Sequence, residues 1–296
     1  MQLFNNTNFN FTNKTVIAAI FSIIFILSGI MSLIYKGGPS LSIDFTGGNI
    51  VQLKFEDNVD ISSIRLSIID SGLPNPEIIE FGSPSEILIK TQYNGSGSQL
   101  IQILKDSIST PFNVERYEAI GAKIGSELAS DALNAIIVAL LLITIYISFR
   151  FDRFYAYGSL MAIIHDILIT LGIFSILNID IDLSIIAAFL TIVGYSLNDT
   201  IVIFDRIREN RIKFQKEDID SIVNKSLNAS LGRTVITSLT TLIVVIILFL
   251  TGGAVIKNFS FALIVGVLVG TYSSIFVASP VMKYFELKNN IIADNE

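Results

Sequence analysis

Six runs of the chain are apolar over lengths that suit a membrane: residues 15–34, 132–149, 155–177, 183–204, 234–250 and 259–278. About 20 apolar residues, each rising ~1.5 Å along a helix, cover the ~30 Å of a bilayer's hydrocarbon. The pattern therefore predicts an α-helical polytopic membrane protein with six transmembrane helices. Between the first and second runs the chain changes character. Residues 49–55 alternate apolar and polar as a strand does, and Ile61, Ile64, Ile68 and Ile69 trace a helical face. Residues 77–81 and 87–92 read as strands separated by Gly82, Ser83, Pro84 and Ser85. Leu100, Ile103, Leu104 and Ile108 mark a second helical face, and residues 113–120 a last strand. The order β-α-β-β-α-β predicts a ferredoxin-like α+β domain over residues 36–130.

Composition agrees with the spans and narrows the class. Hydrophobic residues make up 51% of the 296 and charged residues 16%, a balance unlike that of an ordinary soluble domain. A net charge of -6 argues against nucleic acid as a partner, which needs concentrated positive charge. With no cysteine, disulfides, thiolate metal sites and cysteine nucleophiles are excluded. No nucleotide loop is present either, since neither glycine pair, at Gly47-Gly48 or Gly252-Gly253, has the spacing that would hold a triphosphate. No cofactor or metal is expected, and no enzyme.

Lysines and arginines in the short connections set the orientation. Arg150 and Arg153 lie between the second and third spans. Arg206, Arg208, Arg211, Lys213, Lys216, Lys225 and Arg233 lie between the fourth and fifth. The opposite side has Asp180 and Asp182 in one connection and Lys257 in the other. Both termini are thus expected in the cytoplasm: a weakly ordered tail over residues 1–14, and another over 280–296. Residues 36–130 lie outside, and residues 132–279 form a five-helix region with a cytoplasmic amphipathic connection over 205–233. A cleavable leader is the competing reading of residues 15–34, but the run is long for one and lacks a small-residue processing site after it.

Residues 194–210, GYSLNDTIVIFDRIREN, hold the leading chemistry. An isolated carboxylate such as Asp199 costs about 3 kcal/mol or more in hydrocarbon, so it needs a partner, water or a task. Arg233 opens the fifth span, above Thr237 and Thr241, and is read either as Asp199's partner or as an interfacial residue reaching for water. His165 and Asp166 are adjacent in the third span and point about 100° apart, so they need not share a partner. Both serve either as proton relays or as packing groups. Gly194 and Asn198 flank Asp199 on a thin, polar face of the fourth span. Ala262, Gly266, Gly270 and Ser274 form a stripe on the sixth that suits close packing within the chain or against a partner.

At these residues the sequence resembles the SecD/SecF family of protein-export membrane proteins, within the resistance-nodulation-division superfamily. The resemblance rests on IDFTGG at residues 43–48, IGAKIGSEL at 120–128, His165-Asp166, the 194–210 stretch, and LGRTVITSLTT at 231–241. It implies a multi-pass protein of the bacterial cytoplasmic (inner) membrane that uses the proton-motive force to promote preprotein export. The implied partners are a SecD-like subunit, the Sec translocase channel and its export factors, secretory preproteins and membrane lipids. It also implies that Asp199 and Arg233 are the family's intramembrane Asp and Arg of the proton path; His165 and Asp166 stand beside them as proton-relay candidates, and Asp44, Gly47, Gly48, Gly194 and Asn198 as a structural or conformational motif. Two other readings are an exporter of lipids or small molecules from the same superfamily and a passive translocon assembly factor.

Overall fold

The computed structural model describes residues 7–74, 76–93 and 95–293. Its elements are α1 (Thr15–Lys36), α2 (Ile43–Thr46), β1 (Gly48–Phe55), α3 (Ile61–Asp70), β2 (Glu77–Phe81), β3 (Ser83–Thr91), α4 (Gly97–Ser107), β4 (Phe112–Ile120), α5 (Ala122–Arg150), α6 (Arg153–Leu177), α7 (Leu183–Lys213), α8 (Ile219–Thr251), α9 (Gly253–Ser273) and α10 (Ser279–Ala293). A π-helical segment, Ser274–Ala278, joins the last two. Among the described residues six helical stretches are long and apolar enough to cross a membrane.

Two layers of burial follow from the two periodicities. In the small sheet domain the strand order is β2-β3-β1-β4, every pair antiparallel. Alternate residues Val51, Leu53, Ile87 and Ile89 face Ile64, Ile68, Leu100 and Leu104 of α3 and α4 to make one apolar core. The turn before β3 is tighter than the sequence suggests: β3 begins at Ser83, and only Gly82 separates it from β2. Gly82 has φ +77°, a conformation glycine adopts without strain, so it turns the chain unaided. Pro84 can then lie in the strand because it falls outside the paired stretch, where its missing N–H costs nothing.

In the bundle, α6, α7 and the last span (α9 with α10) are the buried helices, whereas α1, α5 and α8 turn most of their apolar surface outward. Helix α1 meets α6 at a glycine crossing, where a Cβ on Gly29 would stand 2.6 Å from the Gly172 Cα. Backbones approach this closely only where both side chains are absent.

The IDFTGG segment ties the sheet to the bundle. Ser42 Oγ accepts from Asp44 N at 3.2 Å to start α2, and Asp44 Oδ2 accepts from Leu183 N at 3.1 Å at the beginning of α7. A Cβ on Gly47 would lie 2.8 Å from the Ala122 backbone, and one on Gly48 would lie 2.5 Å from the Thr91 carbonyl oxygen. Gly47, at φ +79°, meets both demands of a crowded and left-handed position. Gly47→Val is therefore expected to strain the backbone by about 1–3 kcal/mol and to pry the sheet from α5. Limited proteolysis should then cut the sheet domain faster while the spans stay protected; unchanged cleavage would refute this packing role.

The amphipathic connection expected over 205–233 is built from the ends of two long helices. Helix α7 continues to Lys213, α8 starts at Ile219, and a short turn joins them. Ile222, Val223 and Leu227 bury themselves against Phe204, Ile207 and Met282 at the helix ends, where a core lies ready to cover them. The weak order expected of the N-terminal tail fails for residues 7–14. Phe9 N and Phe11 N donate to Asn228 Oδ1 at 2.8 Å and Asn224 Oδ1 at 2.7 Å, which moors this stretch to α8. Residues 1–6 of that expectation lie outside the described residues.

Candidate functional site

The last three residues of α9 and the first of the π-helical segment organise the polar interior. Thr271, Tyr272, Ser273 and Ser274 are consecutive, and successive helical residues advance about 100°, so their hydroxyls point in four directions. Each finds a different helix: Thr271 Oγ1 meets Ser238 Oγ of α8 at 2.6 Å, and Tyr272 Oη meets Ser22 Oγ of α1 at 2.9 Å. Ser273 Oγ donates to Asp166 Oδ2 of α6 at 2.8 Å, and Ser274 Oγ meets Thr200 Oγ1 of α7 at 2.9 Å. These bonds give an otherwise apolar bundle a polar seam of three hydrogen-bonded groups that meet at one turn of helix but share no side-chain bond.

His165 and Asp166 occupy one end of it, 5% and 1% exposed. Rather than pointing apart, they bond each other, His165 Nδ1 to Asp166 Oδ1 at 2.9 Å. Helices α1, α7 and α9 enclose both side chains, so each must find its partners in the same small space. Nε2 of His165 meets Ser22 Oγ at 2.9 Å, and Asp166 Oδ2 also accepts from Ser196 Oγ at 2.6 Å. The ring of Tyr272 stacks on the imidazole with centroids 5.8 Å apart.

Asp199 lies at the other end, 2% exposed. Its carboxylate is held loosely, by Thr237 Oγ1 at 3.4 Å and Ser238 Oγ at 3.5 Å. Ser196, Asp199 and Thr200 share one ridge of α7, which is how a single helix touches both ends of the seam. The expected Asp199–Arg233 ion pair is not formed: Arg233 is exposed, and among the described residues it makes no salt bridge. Thr237, one turn below Arg233, sits beside the carboxylate, and its single hydroxyl hydrogen is shared with the Thr234 and Arg233 carbonyls at 2.9 and 3.1 Å.

The remaining expected residues fall elsewhere. Asp44, Gly47 and Gly48 sit at the sheet junction described above, and Gly194 and Asn198 lie on an exposed face of α7. The small stripe on α9 packs inside the chain. A Cβ on Gly266 would meet Ile192 Cγ1 at 2.2 Å, and one on Gly270 would meet Ser196 Cβ at 3.1 Å. Ser22, Ser196, Thr271, Tyr272 and Ser273 complete the site without having been expected there; the hydroxyl run in the sixth span was the visible signal for the last three, and Ser22 and Ser196 had none.

Comparison with known proteins places this arrangement. The profile "Protein export membrane protein SecD/SecF, C-terminal" matches residues 99–288, and the "SecD/SecF GG Motif" matches residues 33–59. The chain belongs to the SecD/SecF family. It is 43% identical over 275 residues to the protein translocase subunit SecF of Vibrio alginolyticus, covering 91% of this chain and 87% of that protein. It is 42% identical over 299 residues to SecF of Thermodesulfovibrio yellowstonii, covering 99% of each. Among solved structures, SecDF of Thermus thermophilus, a translocon-associated membrane protein, is 35% identical with a TM-score of 0.81, matching 95% of this chain. SecDF in its super-membrane-facing form gives 34% identity and a TM-score of 0.77. This chain spans 39% and 41% of those two SecDF chains. Within the SecD/SecF family framework, the glycine-motif match coincides with the crowded Gly47-Gly48 junction, and the C-terminal match contains the whole polar seam except Ser22.

Proposed function

We propose that this SecF-type chain is an accessory subunit of the Sec protein translocase that, with a SecD-like partner, uses the proton-motive force to promote preprotein export. The observation that carries the proton-driven part is the polar seam: two buried sites with titratable side chains, Asp199 and His165–Asp166, each bonded, the first through Ser238, to a hydroxyl of the same helical turn. Buried ionisable groups in spans mark ion or proton paths more often than packing. Asp199, His165 and Asp166 are read as the relay, with Arg233 acting from the rim. One proton crossing 100 mV supplies about 2.3 kcal/mol, enough to bias helix arrangements that lie a few kcal/mol apart.

Two structural readings support the transmission of that bias. The βαββαβ order and the β2-β3-β1-β4 sheet support a ferredoxin-like domain over residues 36–130, placed outside and holding emerging preprotein. Asp44 and the glycine pair then couple it to α5 and α7. The exposed small and polar face of α7, formed by Ala187, Thr191, Gly194 and Asn198, supports docking of the SecD-like subunit there. The reading is tested by preprotein translocation into sealed vesicles containing the complex. An imposed proton gradient should add to nucleotide-driven transport, and a zero increment would reject it.

Orientation is part of the proposal: both termini and the 205–233 stretch cytoplasmic, the sheet domain outside. The chain has no cysteine, so single introduced cysteines report cleanly. Lys216→Cys should react with a membrane-impermeant thiol reagent only from the cytoplasmic side, and Lys105→Cys only from the other. The reverse pattern would overturn the orientation.

A further inference from the structure

Hydrogen counting around His165 reaches further than its place in the seam. Three contacts run outward from the ring: His165 Nε2 to Ser22 Oγ at 2.9 Å, Ser22 Oγ to Tyr272 Oη at 2.9 Å, and Tyr272 Oη to the Ala18 carbonyl at 2.7 Å. Each needs one hydrogen. The carbonyl has none, and the serine and tyrosine hydroxyls bring one apiece. The third must come from Nε2, so Tyr272 donates to Ala18, Ser22 donates to Tyr272, and Nε2–H donates to Ser22. The contact on the other side of the ring, Nδ1 to Asp166 Oδ1, needs a fourth hydrogen, held by either atom. Asp166 Oδ2 accepts from Ser196, and from Ser273 at 2.8 Å in preference to the Gly270 carbonyl at 3.1 Å. With every bond made, the His165–Asp166 pair holds two hydrogens and is neutral overall, as imidazolium–carboxylate or as imidazole–carboxylic acid.

Removing one proton forces a different pattern. The remaining hydrogen belongs between Nδ1 and the now anionic Asp166, because two facing lone pairs repel. Nε2 is then bare and needs a donor. Ser22 turns its hydrogen to Nε2, which leaves two hydrogens for three contacts; Tyr272 gives up Ala18 and donates to Ser22, because the Ala18 carbonyl is still held by the helical ladder of α1 whereas two facing hydroxyl oxygens would repel. We propose that Ser22 and Tyr272 are positioning residues for the His165–Asp166 pair, and that the Tyr272–Ala18 bond between α9 and α1 is made when the pair holds its proton and broken when the proton leaves. The inference deepens the proton-driven reading by naming the helices on which the proton is read out. Of the other titratable or charged groups on the packed elements, Asp199 lies three residues from Ser196 on α7 with Thr237 and Ser238 as its partners, Arg233 lies exposed beyond it, and the stretch of α1 around Ser22 has no charged side chain.

His165 is the chain's single histidine, so 15N-histidine labelling yields one imidazole spectrum. The experiment follows both ring nitrogens in the full chain in lipid nanodiscs, from acidic to alkaline pH, in wild type and in Tyr272→Phe. The wild type should show a protonated Nε2 at neutral pH that turns bare as pH rises, with Nδ1 keeping its hydrogen. In Tyr272→Phe the serine hydrogen is free to reach Nε2, so the bare form should appear about one pH unit lower, the equivalent of one net hydrogen bond. A bare Nε2 in neutral wild type, or a Tyr272→Phe titration that overlays the wild type, would overturn the proposal. The wild-type spectrum decides even if the variant fails to fold. Because the signal is read without export, it stands or falls separately from the translocation test of the proton-driven reading.

Discussion

Asp199→Asn is expected to abolish the increment in preprotein translocation produced by an imposed proton gradient while leaving nucleotide-driven transport and complex assembly intact. The amide keeps the size of the carboxyl and an oxygen that can accept from Thr237 and Ser238, but it cannot exchange a proton. Those two bonds are long, at 3.4 and 3.5 Å, so their loss costs no more than about 1 kcal/mol. Arg233→Met should reduce the same increment with little change in thermal stability, because the arginine is exposed and unpaired with Asp199 rather than buried against it. The measurement compares sealed vesicles with and without the gradient, at matched amounts of assembled complex. An undiminished increment in Asp199→Asn would sink the relay assignment and favour a passive assembly role.

Gly194→Leu should leave the isolated chain as stable as wild type and still dismantle its complex with a SecD-like subunit. A Cβ at this position meets nothing within 4 Å, and its neighbours Ala187, Thr191 and Asn198 are exposed with it. Nothing inside the chain resists the larger side chain. Against a second helix packed backbone to backbone, overpacking costs about 1–3 kcal/mol, roughly a five- to 150-fold loss of affinity. Melting of the chain alone, set beside co-purification with the partner in mild detergent, separates the two effects. A destabilised isolated chain, or undiminished co-purification, would place the docking face elsewhere.

How much of this was legible in the sequence depends on how local each feature is. Spans and strands announce themselves through periodicity, so six membrane helices and the βαββαβ order could be read before any coordinate. The start of β3 was misplaced because Gly82 makes its turn alone, a matter of one φ angle. The Asp199–Arg233 pair was a plausible inference from two charges near one membrane face. In the structure Arg233 is exposed, and the carboxylate's partners are Thr237 and Ser238 of α8; which side chains of α8 reach it is decided by packing of α7 on α8. The His165–Asp166 bond depends on three other helices closing around adjacent residues. Ser22 and Ser196 were harder still: a serine in an apolar helix can satisfy itself on a backbone carbonyl four residues back, so its residue type alone does not reveal a partner across the bundle.

The π-helical stretch Ser274–Ala278 gives the last transmembrane helix something like a reading frame. It holds one residue more per turn than the α-helices on either side, and Ser279 Oγ reaches back five residues to the Ser274 carbonyl at 3.1 Å. Below it, α10 is locked to the charged ends of α7 and α8 through the Arg211–Glu286 and Lys283–Asp220 pairs. Phase is therefore fixed from that end. Deleting a single residue within the stretch would let the helix continue regularly and would rotate everything before it by about 100°, handing each of the four hydroxyl positions to its neighbour in sequence. Length at this point is as much a part of the site as residue identity, and related chains can be compared across it only when their gaps are placed with that rotation in mind.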